Sequence, residues 1–161
     1  MSLIIDVGRQ EMLLQEDACT IAKYPVSTAS NGVGQLMGSE CTPEGKHIIR
    51  AKIGQGAPVN TVFVGRRPTG EIYSPALAEQ NSSRDWILTR VLWLSGCEPG
   101  RNRLGDCDTM RRYIYIHGCP DSDPMQIPSS HGCIKMQNAD VIELFNRVNV
   151  GKSVDIRVTY E

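Results

Sequence analysis

Up to Asn138 the sequence never sustains a helical period. It offers short apolar runs separated by glycine, proline and charged residues. Such a chain can bury its apolar side chains only by pairing strands that lie far apart in sequence, so a mainly β fold is expected. The strand candidates are residues 2–7 and 11–15, which flank Gly8, then 18–25, 47–53, 61–65, 71–73, 88–95, 113–117 and 154–158. Residues 66–70 are expected to form a connecting turn and residues 82–86 one helical turn. Residues 27–45 and 98–108 have the glycines and polar side chains of long surface loops. The one sustained helix is placed at 138–148, with Asn138 as N-cap and Asp140 in the first turn. Val141, Ile142, Phe145 and Val148 would share its buried face, and Gly151 would end it. Many short strands with one late helix point to a β-sandwich or barrel-like fold.

The length of 161 residues suits a single domain spanning 1–161 with one core. Lys and Arg number 17 against 18 Asp and Glu, a net charge of -1, which argues against a general nucleic-acid binder. No apolar run is long enough to cross a bilayer, so no membrane partner is expected. The N-terminal MSLIIDVGRQEMLLQ lacks a basic segment, is interrupted by Asp6 and precedes no small-residue cleavage site. If Met1 is the natural start, a cytoplasmic location is expected; a mature chain with an added Met would instead be periplasmic. The six cysteines form no CxxC pair and are expected to be reduced.

The chemistry is concentrated in Tyr113–Met136, YIYIHGCPDSDPMQIPSSHGCIKM, which holds two of the three histidines. An alternating apolar strand ends in His117-Gly118. A polar loop with three prolines leads to Ser130-His131-Gly132-Cys133-Ile134-Lys135. A thiol is mostly protonated at neutral pH, and a nearby imidazole can take its proton. A sharp turn at Gly132-Cys133, just ahead of the helix, would expose the sulfur and present backbone N–H groups to an oxyanion. His117, at the end of a strand, is rigidly placed to act as the base, with the Gly118 carbonyl holding its other ring nitrogen.

This stretch resembles the catalytic motif of the L,D-transpeptidase (YkuD-type) family: a strand ending in His-Gly, a variable loop, Ser-His-Gly-Cys, then a helix and a final strand. The Thr42-Pro43-Glu44-Gly45 turn and the strands after it resemble the upstream half, so the likeness runs from about residue 10 to residue 160. The resemblance implies a β-sandwich of mixed sheets with one helix near the C-terminus, and no cofactor. It implies a thioester between Cys133 and the third residue of a peptidoglycan tetrapeptide stem, usually a diamino acid, with terminal D-Ala leaving. The implied partner is a murein tetrapeptide or disaccharide tetrapeptide. Cys133 would be the nucleophile, His117 the base and Gly118 the carbonyl that orients it. His131, Gly132 and Cys133 would surround the oxyanion, and Ser130 would support the turn beside the substrate. Two positions depart from the family pattern. Lys135 replaces the usual Arg and keeps the charge without the two-pronged contact to a carboxylate. Cys119 follows His-Gly where Thr or Ser is more common, and a thiol there could approach Cys133.

Arg101, Arg103, Arg111 and Arg112 read as a solvated basic face that could also attract the carboxylates of a murein peptide, with Arg112 a candidate substrate contact. The duplicated pattern His117-Gly118-Cys119 and His131-Gly132-Cys133 could in principle hold zinc, although a structural metal would consume the nucleophile. Three functions follow: an L,D-carboxypeptidase using water in peptidoglycan recycling, which is favoured; an L,D-transpeptidase using an amine; and a non-enzymatic zinc-stabilised or wall-peptide-binding module.

Overall fold

The computed structural model describes residues 1–159. Three strands open the chain: β1 (Ser2–Asp6), β2 (Glu11–Glu16) and β3 (Cys19–Ser27). After the loop come β4 (Gly45–Ile53), β5 (Thr61–Val64), β6 (Arg67–Ile72), the short helix α1 (Pro75–Gln80) and the long strand β7 (Ile87–Gly96). A 3-10 turn at Gly105–Cys107 precedes β8 (Tyr115–Gly118), β9 (Ile134–Met136), helix α2 (Asn138–Arg147) and β10 (Ser153–Arg157). The strands are hydrogen-bonded in the order β4-β10-β1-β2-β3-β9-β8-β7-β5-β6, and β4 also pairs with β7. Eight strands therefore close into a ring, and β5–β6 hangs from it. Pairing is mixed as expected, with β1–β10 and β8–β9 parallel. The two sides of the expected sandwich are joined into one continuous sheet.

Alternation along the strands builds the core. Leu3 and Ile5, Met12 and Leu14, Leu92 and Leu94, Ile134 and Met136, and Val154 and Ile156 all point inward. Helix α2 closes the core with Val141, Leu144 and Phe145, and Val148 at its C-cap completes the i, i+3, i+4, i+7 spacing. Leu144, not the expected Ile142, completes that face. No helix among the described residues is long and apolar enough to cross a membrane.

Several local expectations are corrected. Residues 67–70 belong to β6, and the turn is the two-residue pair Gly65-Arg66, at φ +57° and +66°. Pro68 is tolerated because β6 is an edge strand with one side unpaired. The helical turn expected at 82–86 is instead α1, begun by Pro75 and capped by Ser74 Oγ accepting from Leu77 N at 3.1 Å. Tyr113 stands outside the strand at φ +57°. Between Cys133 and α2 the chain forms β9 instead of passing straight into the helix. Asn138 is the first residue of α2, after Gln137 at the cap position, and its side chain caps nothing.

Candidate active site

The parallel pairing of β8 with β9 brings the two halves of the motif together. Ile116 lies beside Ile134, His117 beside Lys135 and Gly118 beside Met136. Ile116 and Ile134 enter the core, which leaves Tyr115 and His117 on the opposite face of β8. That face forms one wall of a cavity of about 420 Å³ lined by Cys133, His117, Ser130 and His131 together with Arg66, Asp85, Tyr113 and Tyr115. A second cavity of equal volume, beside β1, β4 and β10, includes His47 and Cys97 but neither member of the motif.

The turn that presents Cys133 is braced from within. Ser130 Oγ donates to the Cys133 carbonyl at 2.6 Å and accepts from Gly132 N at 3.2 Å. Thr42 Oγ1 donates to the Gly132 carbonyl at 3.0 Å, tying in the Thr42-Pro43 turn. Gly132 has φ +130°, and a Cβ there would lie 3.1 Å from the Cys41 carbonyl oxygen, so only glycine fits. Ser130 thus supports the turn as expected, while the Gly132 N–H, expected at the oxyanion, is occupied by Ser130.

The Cys133 thiol accepts from Tyr115 N at 3.3 Å and donates to the Tyr113 carbonyl at 3.4 Å. Burial pushes its pKa up to about 12; the Tyr115 N–H and the charge of Arg112 oppose this without overcoming it. An ordinary neighbouring imidazole would have lowered that value, but His117 carries no charge with which to do so. It is buried, and desolvation holds its pKa below 6.5. His117 Nδ1 lies 2.6 Å from the Gly118 carbonyl. A carbonyl only accepts, so Nδ1 carries the hydrogen and Nε2 is the basic nitrogen. The resting pair is a neutral thiol and a neutral imidazole facing one cavity.

Gly118 is required by close packing. A Cβ there would collide with Asn138 Oδ1 and lie 2.7 Å from the Leu88 carbonyl oxygen. The buried Asn138 amide accepts from Thr89 Oγ1 at 2.6 Å and donates to Asn60 Oδ1 and Asp121 Oδ1, both at 3.0 Å. It joins β7, the segment before β5 and the loop after His117 at the point where that histidine is held. This explains why Asn138 is not a helix cap.

The other expected contacts lie differently. Lys135 is largely buried and paired with Asp123 at 2.9 Å; it does not line the cavity and holds the 119–129 loop instead. Arg112 is half-buried, not solvated. It donates to the carbonyls of Gly34 at 3.1 Å and Cys41 at 2.6 Å and to Ser39 Oγ at 3.3 Å. It therefore braces the 34–41 loop and lines a neighbouring cavity that shares Tyr113 and His131 with the first. His131 is exposed at the rim, with Nδ1 3.8 Å from Asp85 Oδ2. Cys119 is buried, donates to the Met136 carbonyl at 3.2 Å, and does not line the cavity with Cys133. All six cysteines are free. His117, Cys119, His131 and Cys133 do not converge, and no group of three or more His, Cys, Asp or Glu among the described residues is placed to hold a metal.

Sequence reasoning missed Arg66, Asp85, Tyr113 and Tyr115 as cavity residues. Tyr113 and Tyr115 carried a signal, since they stand four and two residues before His117 on one face of the expected strand.

The profile of the YkuD L,D-transpeptidase catalytic domain matches residues 1–156. An L,D-transpeptidase from Mycobacterium smegmatis superposes with a TM-score of 0.57 at 19% identity, over 97% of this chain and 58% of that one. L,D-transpeptidase 3 from Mycobacterium tuberculosis, solved with a faropenem-derived adduct, gives a TM-score of 0.59 at 14% identity, over 97% and 59% of the two chains. The chain spans less than two thirds of the length of these structures, and at such identities they speak for the fold. No curated protein matches. The chain belongs to the YkuD family of L,D-transpeptidase catalytic domains.

Proposed function

We propose that this protein transfers the acyl group of a peptidoglycan stem peptide through Cys133, and that water is the final acceptor. The observation that carries this reading is the meeting of Cys133 and His117 in one cavity, with His117 Nδ1 fixed by Gly118 so that Nε2 is the base. As substrate seals the cavity, His117 Nε2 takes the thiol proton while Sγ attacks the carbonyl before terminal D-Ala. Backbone N–H groups of the 131–133 turn receive the oxyanion, with those of His131 and Cys133 preferred because Ser130 engages Gly132. His117 then returns the proton to the leaving amine, and the C–N bond breaks to leave a thioester. Water, deprotonated by the same nitrogen, releases the acid and restores the thiol.

Water is favoured over an amine because six free thiols suit a reducing compartment, where soluble stem fragments and not wall cross-links are the substrate. On this reading the protein is a cytoplasmic L,D-carboxypeptidase. The matched structures are described as L,D-transpeptidases, so amine acceptance is the second reading. Mass spectrometry of the products from a disaccharide tetrapeptide, with and without a free D-amino acid, decides between them. Tripeptide and D-Ala regardless of added amine are expected, with no product from Cys133→Ala. Exchanged or cross-linked products would establish the transpeptidase, and an intact substrate would refute both.

A further inference from the structure

One wall of the Cys133 cavity carries a cation that the proposed chemistry does not use. Arg66 occupies the second position of the β5–β6 turn at φ +66°, a left-handed conformation that disfavours side chains and would ordinarily fall to glycine. Its side chain is nevertheless ordered from three directions. The guanidinium lies over the Trp93 ring at 4.7 Å and over the Tyr113 ring at 4.8 Å, and Nη1 donates to the Tyr115 hydroxyl at 3.0 Å. Trp93 is itself held by Nε1 donating to the Met110 carbonyl at 3.1 Å. No carboxylate pairs with Arg66 among the described residues; Asp85, in the same cavity, turns toward His131. Guanidinium has five N–H donors, and one is spent on Tyr115. Aromatic faces cover the plane of the group, and they offer no acceptor for the donors on its edge.

Tyr115 also fixes the distance from this cation to the reacting sulfur. Its backbone N–H donates to Cys133 Sγ at 3.3 Å, while its hydroxyl accepts from Arg66 at 3.0 Å. Tyr115 therefore bridges the guanidinium and the thiol, with one hydrogen bond at each of its ends, and both groups line the same cavity. Arg112, the cation whose charge acts on Cys133, is consumed by loop carbonyls.

We infer that Arg66 is a substrate-binding residue that receives a carboxylate located within one residue of the carbonyl Cys133 attacks. This rests on the reading of Cys133 as the nucleophile. The carboxylate has two possible sources, the free C-terminus of the leaving amino acid and the side-chain carboxylate of a diamino residue on the acyl side. A planar, preorganised guanidinium suits either through two parallel hydrogen bonds.

The test uses iodoacetate and iodoacetamide, which deliver the same carboxymethyl or carbamoylmethyl carbon with and without a charge. In each case Sγ attacks the methylene and iodide leaves. Peptide mapping reads the rate at Cys133, with the exposed Cys19 as an internal standard. Relative to Cys19, Cys133 is expected to favour iodoacetate, with saturation. Arg66→Gln should lower the iodoacetate to iodoacetamide ratio at Cys133 by about tenfold or more, as for loss of a charge-assisted contact, and leave the ratio at Cys19 unchanged. Arg66→Lys should restore part of it. Equal ratios at the two cysteines in the native protein, or an unchanged ratio in Arg66→Gln with a native melting temperature, would overturn the inference. Two tetrapeptides, one amidated at the C-terminus and one at the diamino side chain, then identify the source: the amidation that slows the native enzyme but not Arg66→Gln marks the carboxylate bound. If the native protein cleaves no tetrapeptide, the proposed function fails, and the alkylation ratio still decides the role of Arg66.

Discussion

His117 Nδ1 lies 2.6 Å from the carbonyl oxygen of Gly118, the next residue in the chain. The contact fixes the tautomer, and burial holds the ring neutral to below its ordinary 6.5. A base must be neutral to accept a proton, so a lowered pKa extends activity toward acid. The acid limb of the kcat/KM profile is therefore expected below pH 6.5. A limb centred at or above that value would show that the ring is not held neutral. His117→Ala should lower kcat/KM by about 10²- to 10⁴-fold.

The Cys133 thiol, pushed up to about 12, remains protonated through the physiological range. Its alkylation by iodoacetamide should therefore climb about tenfold per pH unit from neutrality to at least pH 10, because only the thiolate reacts. A plateau near neutral pH would indicate a preformed thiolate–imidazolium pair and refute the neutral resting state.

Asn138 distinguishes a cap from a buried network. At a cap, Asn138→Asp would be nearly silent. In the network, Asp loses both donations, to Asn60 and Asp121, and sets a second carboxylate beside Asp121. Both Asn138→Asp and Asn138→Ala are expected to cost about 2–4 kcal/mol in urea unfolding, as for a severed buried polar network. Activity should fall with them as the packing at Gly118 loosens.

His47 should make the fold acid-sensitive. It is fully buried, with Nδ1 donating to the Gly45 carbonyl and Nε2 accepting from Thr109 Oγ1, both at 2.9 Å. Burial lowers its pKa from 6.5 to about 4. Between those values the unfolded chain binds a proton that the folded chain refuses. The stability present above pH 6.5 is thus lost progressively as pH falls toward 4, by about 3 kcal/mol in all. His47→Gln should flatten that slope in denaturant titrations at pH 7, 5.5 and 4.

Much of the architecture was legible because short apolar runs bounded by turn residues are a local signal. The runs at 2–7, 11–15 and 88–95 announce strands, and the spacing of Val141, Phe145 and Val148 announces α2. Cys133 and His117 were legible because glycine punctuates each at a strand boundary. Arg66 and Asp85 lie on segments far from the motif that only tertiary pairing brings to it, and no local pattern encodes pairing at that range. β9 escaped notice because three residues cannot display a period. Asn138 escaped because a polar residue opening a helix looks the same whether it caps the helix or is buried under it. Lys135 and Arg112 carried charges that suggested substrate, but Asp123 and the 34–41 carbonyls engage them first.

The closed ring has a consequence for how such a site can diversify. Each ring strand is clasped on both sides, so a change of length in β7 or β8 would shift register next to His117. The β5–β6 hairpin is joined to β7 along one edge only, through Val62–Leu88 and Phe63–Ile87. Its tip can lengthen or shorten without shifting the register of β7 and β8, whereas exchanging Arg66 removes its contacts to Tyr113 and Tyr115, the two residues that hold the Cys133 thiol. A change at that tip would reach the cavity through side chains alone, with the strands that carry His117 and flank Cys133 left in place.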